Sequence, residues 1–196
     1  MSIVSATAAL LSEFRPKNTI NGYCAPLSVE AGQLIDFFIS SRADYEVYIV
    51  QLCDVQDGSS NVAAGRELAK LPNGRHQYQI TSTRAWQIGC GWQRTQQFQV
   101  PASYTSGLYA AECRVSDGST FHIAFVVRPS PGTQNPILVL ANTNTWNAYN
   151  NWGGYSRYTG NRDREISSLS FARPNPNTSA NYEDSRDAHL IPFPYH

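Results

Sequence analysis

The sequence has no surplus of either charge. Fifteen lysines and arginines offset fifteen aspartates and glutamates across 196 residues. Without a basic excess there is no long-range pull on phosphate backbones or anionic lipid, which sets nucleic acid aside as a partner. No apolar run approaches the roughly twenty residues a membrane-spanning helix needs, so a membrane is set aside as well. The first residues, Met1 to Glu13, hold neither a basic cluster nor a continuous apolar stretch; a secretory leader is not expected, which favours the cytoplasm. The four cysteines (Cys24, Cys53, Cys90, Cys113) lack the CxxC spacing of zinc sites. Four buried thiols is a simpler expectation for them than two disulfides. Gly153-Gly154 stands outside any GxGxxG or Lys-Ser/Thr setting, so no phosphate-binding loop is read there. The histidines (His76, His122, His189, His196) are scattered, and no Ser/His/Asp order or Cys/His pair singles itself out for nucleophilic catalysis.

What the chain does have is aromatic residues, with eleven Tyr and four Trp, punctuated by glycine and proline. That mixture leans towards β structure. Apolar residues recur at period two in Leu34 to Ile39 and Tyr45 to Leu52. Further strands are expected near Gln77 to Thr81 and Thr95 to Val100, with a looser stretch from Asp54 to Arg75 and a turn at Ser28 to Gln33. The clearest local pattern is Gly107 to Val115 and Thr120 to Val127, two alternating strands around Ser116-Asp117-Gly118-Ser119, which reads as a hairpin. Ser106-Gly107-Leu108-Tyr109 resembles the tyrosine corner of immunoglobulin-like sandwiches. The fold class is therefore mainly β: an immunoglobulin-like antiparallel β-sandwich over residues 18–128. Residues 1–17 precede it, with a short helix expected from Ser5 to Phe14. A Pro-rich connection, 129–136, follows, because three prolines in the nine residues from Arg128 to Pro136 cannot continue a central strand.

Residues 137–196 form the remaining segment, a partial α/β or irregular extension. It opens with Ile137 to Ala141, five apolar residues in a row, read as a strand covered on both faces. Asn142 to Asn151 then holds five Asn, two Thr, Trp146 and Tyr149. Polar groups just past the end of such a strand commonly build a site in α/β sheets. Asn142, Thr145, Trp146 and Asn150 are the site-loop candidates. The plainer alternatives are Asx turns for the asparagines, core packing for Trp146 and Trp152, a structural role for His122 and a solvated surface for Arg162 to Glu165.

Thr145-Trp146-Asn147-Ala148-Tyr149-Asn150, then Trp152-Gly153-Gly154 and Ser156 to Tyr158, resemble the signature of the catalytic subunit of N,N-dimethylformamidase and its relatives. Gly22-Tyr23, Ser28-Val29, Val100-Pro101, Ser106 to Ala111 and Ser170-Phe171-Ala172-Arg173-Pro174 are similar to that family in the same order. The resemblance implies an amide hydrolase with mononuclear iron held by two tyrosinates and one carboxylate. Such hard anionic oxygens suit ferric iron. Tyr149 is the first ligand candidate, with Tyr158 and Tyr182 for the second; the carboxylate is expected beyond this chain. Only about sixty residues follow the sandwich, too few for the family's catalytic layer. The expected role is thus a shortened relative acting as an assembly or interaction module, with amide hydrolysis if another chain completes it. A homo-oligomer or a further chain would then cover Ile137 to Ala141. The alternatives are an iron-dependent amidohydrolase acting on small formamides and a carbohydrate-binding sandwich using its Trp and Tyr as platforms.

Overall fold

The computed structural model describes residues 13, 15–52, 65–133, 136–158, 166 and 168–176. Eight strands and two short helices follow one another: β1 (Ile20–Ala25), β2 (Ser28–Glu30), β3 (Leu34–Ser41), β4 (Tyr45–Gln51), β5 (Arg66–Gly74), α1 (Ala85–Ile88), β6 (Gln96–Gln99), β7 (Gly107–Val115), β8 (Thr120–Arg128) and α2 (Thr143–Tyr149). They make a three-stranded sheet, β1-β3-β6, and a five-stranded sheet, β2-β8-β7-β4-β5. All neighbours are antiparallel except β2, which runs parallel to β8. This is the expected sandwich.

Alternation drives it. Ile35, Phe37 and Ile39 of β3 meet Ile123, Phe125 and Val127 of β8 across the core, all nearly or wholly buried. The Phe37 and Phe125 rings meet edge to face at 5.9 Å. Each such side chain removed from water contributes about 1.5–3 kcal/mol. The β7–β8 hairpin closes as its sequence demands: Gly118 takes φ 87° and Ser119 N donates to Asp117 Oδ1 at 2.7 Å. The tyrosine corner is present, with Tyr109 Oη donating to Thr105 O at 2.8 Å.

Several expectations change. β1 lacks a clean apolar alternation because Gly22 sits where the two sheets converge; a Cβ there would lie 2.4 Å from Ile123 Cδ1. Ser28–Glu30 is a strand rather than a turn, and the loose region ends in β5. β5 is an edge strand with register shifts against β4, and its Lys70 and Pro72 suit an open edge. Residues 77–81 make one bridge, Gln77 to Ser41, and no strand. Of the expected N-terminal helix only Glu13 is described; it bridges Ser82 and accepts Tyr78 Oη at 2.7 Å. Cys24, Cys90 and Cys113 are buried free thiols, and Cys53 lies outside the described residues.

The largest correction concerns Ile137 to Ala141. The stretch is neither a strand nor buried: Ile137, Leu138, Val139 and Leu140 are 77%, 89%, 83% and 87% exposed. A buried strand needs neighbours on both edges and both faces, and the described residues supply none. The described part of the extension is irregular apart from α2.

Candidate functional site

The asparagine-rich segment is helical rather than a loop. Thr143 to Tyr149 make α2, with Trp146 N donating to Asn142 O at 3.1 Å. Asn142 stands at its start without a side-chain capping bond, and Asn147 is the buried residue of the helix. Seven residues do not hold a helix in water by themselves, so α2 is fixed from outside.

Arg173 fixes it. This guanidinium is 2% exposed and surrounded by neutral acceptors. Nη2 donates to Asn147 O (3.3 Å), Asn147 Oδ1 (3.3 Å) and Asn150 O (2.9 Å); Nη1 donates to Trp152 O (2.6 Å) and Tyr155 O (3.0 Å); Nε donates to Ser170 O (3.0 Å). It thus caps the carbonyl end of α2, where a cation is favoured. Burial pushes its pKa down to about 10, the electrostatic penalty of a charge whose hydrogen-bond partners are all carbonyls. Asn150 adds to the knot: its Nδ2 donates to Pro174 O at 2.9 Å and its Oδ1 accepts Trp152 N at 3.0 Å, an Asx turn.

The knot is fastened to the sandwich by aromatic residues. Trp152 meets Trp92 edge to face at 5.9 Å, and its Nε1 donates to Asn21 Oδ1 of β1 at 3.1 Å. Tyr23, Ala85, Cys90, Trp92 and Trp152 form a second small core, with Phe38 packed against it. Gly153, at φ 86°, lies against Trp86, where a Cβ would come within 3.2 Å of its backbone nitrogen. Backbone bonds finish the junction: Ser170 N to Trp86 O (2.9 Å) and Cys90 N to Ala172 O (2.8 Å). Burial raises the Cys90 thiol well above its usual range, against the pull of Arg173.

Between α2, the segment 171–175 and the β1/β8 seam lies a cavity of about 50 Å³. Thr143, Trp146, Asn147 and Asn150 line one side, and Cys24, His122 and Ala124 line the other. Of the site-loop candidates, Trp146 and Asn150 reach this cavity; Asn142 and Thr145 are exposed and do not line it. Its polar lining includes Thr143 and Asn147, which the sequence did not single out.

The ligand candidates Tyr149 and Tyr158 are brought together, their rings stacked at 4.4 Å and 26°. Tyr182 lies outside the described residues. The described extension contains no Asp or Glu, and no cluster of three His, Cys, Asp or Glu occurs among the described residues. The phenol pair alone therefore does not make the two-tyrosinate, one-carboxylate set. The missed residue of greatest weight is Arg173. The only signal for it was the Ser170 to Pro174 segment, since a lone arginine in polar sequence reads as surface.

A family model described as N,N-dimethylformamidase beta subunit-like, C-terminal, matches residues 54–194, more than half of the chain. None of the curated proteins matches it.

Proposed function

Because the chain belongs to the N,N-dimethylformamidase beta subunit-like family, we propose that it is an assembly module of a multi-chain protein, with amide hydrolysis arising only when a further chain completes the site. One observation carries this reading: the four consecutive apolar residues Ile137 to Leu140, each more than three-quarters exposed. Covering such side chains is worth about 1.5–3 kcal/mol apiece, and an isolated chain forgoes all of it. In an extended segment successive side chains point to opposite sides. A partner must therefore cover both faces, as a sheet receiving this segment between its own strands would, and backbone pairing then adds to the apolar gain. The knot around Arg173 holds the segment's C-terminal end in place for that meeting.

The enzyme reading, an iron-dependent amidohydrolase acting on small formamides, draws support from the adjacent Tyr149 and Tyr158. It lacks a carboxylate among the described residues of the extension. Against a carbohydrate platform stands the burial of Trp92 and Trp152, which leaves neither ring face free for a sugar.

Light scattering on the purified chain tests the proposal. Self-association that increases with concentration is expected, and Leu138→Asp with Leu140→Asp should return the chain to a monomer of unchanged melting temperature. If the double variant associates as strongly as the parent, the segment is not the contact. Stoichiometric iron, a visible tyrosinate-to-iron band and formamide turnover by the chain alone would overturn the need for a partner.

A further inference from the structure

The two tyrosines share an origin. Tyr149 ends α2 between Asn147 and Asn150, and Arg173 holds both of their carbonyls. Tyr158 lies three residues after Tyr155, whose carbonyl the same guanidinium holds. The loop between the rings is closed once more by Arg157 N donating to Ala148 O at 2.8 Å. Both approaches to the ring pair therefore start from one buried cation.

We propose that Arg173 is a positioning residue that sets the Tyr149–Tyr158 pair through the backbone, rather than a residue that merely adds stability to the fold. Stacking alone is too weak to hold this geometry. Tyr158 is 63% exposed, and what an aromatic pair contributes beyond its buried area is less than the entropy of ordering the residues between the rings. Six hydrogen bonds from one rigid fork to carbonyl and amide oxygens outweigh that. Lysine, a flexible point charge with three donors, cannot reproduce the fork. The inference stands whether or not the chain meets a partner.

The test uses the full chain labelled with 3-fluorotyrosine. The Tyr149 and Tyr158 resonances are assigned by replacing each in turn, and stacking is read as the shift one ring suffers when the other becomes leucine. In the parent chain each replacement should move the other resonance. In Arg173→Lys that mutual shift should vanish while the Tyr45 and Tyr109 signals inside the sandwich stay where they were. Millimolar methylguanidinium should restore it in Arg173→Ala by occupying the vacated space. A mutual shift that persists in Arg173→Lys overturns the proposal, as does failure of methylguanidinium to restore it in a chain whose sandwich signals are intact. Loss of the Tyr45 and Tyr109 signals along with the pair would make Arg173 a residue of global stability, and would overturn it equally.

Discussion

Two tyrosines, stacked at 5.3 Å, show how much depends on a hydroxyl's surroundings. Tyr109 donates to Thr105 O and ties β7 to the loop before it. The Tyr104 hydroxyl is buried with no hydrogen-bond partner among the described residues, and burial pushes its pKa up. A buried polar group left unsatisfied costs its desolvation and gains nothing in return. Tyr104→Phe is therefore expected to leave stability unchanged or to raise it by up to about 1 kcal/mol, read from the urea midpoint. A lower midpoint would mean that the hydroxyl is satisfied after all. Tyr109 could be read from the sequence because its motif is local, a few residues around a strand start. Arg173 could not. Its acceptors come from Asn147, Asn150, Trp152, Tyr155 and Ser170, and no local pattern announces that a charge will be buried among distant carbonyls.

Among the elements, the β7–β8 hairpin was legible because alternation and an Asp-Gly turn agree over adjacent residues. β1 and β5 were not, since Gly22 and Pro72 answer to close approach and edge position, which belong to the tertiary structure. The run Ile137 to Leu140 misled for a related reason: an apolar run reports that a surface wants cover, not that cover is present. The α2 block depends on its docking. Trp152 joins it to Trp92 and to Asn21. Trp152→Ala should cost about 3–5 kcal/mol of that attachment while leaving the sandwich intact. Hydrogen exchange would show it, with the amides of Gly154 and Arg157 losing protection while those of β7 and β8 keep theirs. If protection fell equally in all of them, block and sandwich would be one cooperative unit.

For the whole molecule, titrating groups bound the pH range of stability. Burial would raise Glu112, but the neighbouring His122 and Arg114 outweigh it and hold the carboxyl at about 2 against an ordinary 4.5. Arg114 Nε, at 2.7 Å, is the close partner; His122 Nε2 stands at 3.7 Å. A depressed carboxylate contributes stability above its unfolded pKa and loses it as pH falls through the folded one, here from 4.5 to about 2. At the alkaline end burial lifts Tyr23 and Tyr45 from 10 to about 12, and Cys24 from 9 to about 12. These groups are protonated when folded, so their contribution is full below the unfolded values and is lost as pH rises through about 12. Melting temperatures should hold level from about pH 5 to 9 and fall on either side. Glu112→Gln should flatten the acid decline; an unchanged decline would assign it to other carboxylates. One further property follows from the parallel pairing of β2 with β8. The chain enters the five-stranded sheet on β2 and leaves it on β8, so a pull applied to the start of β2 and the end of β8 draws these neighbours in opposite directions along a common axis. The three backbone pairs from Ser28↔Val126 to Glu30↔Arg128, with Arg128 gripping Glu30 at 2.9 Å, are loaded together in shear and must fail together. This strand pair, which joins the first and last strands of the five-stranded sheet in chain order, is thus that sheet's mechanical clasp, and tension transmitted through a partner bound beyond Arg128 would load it directly.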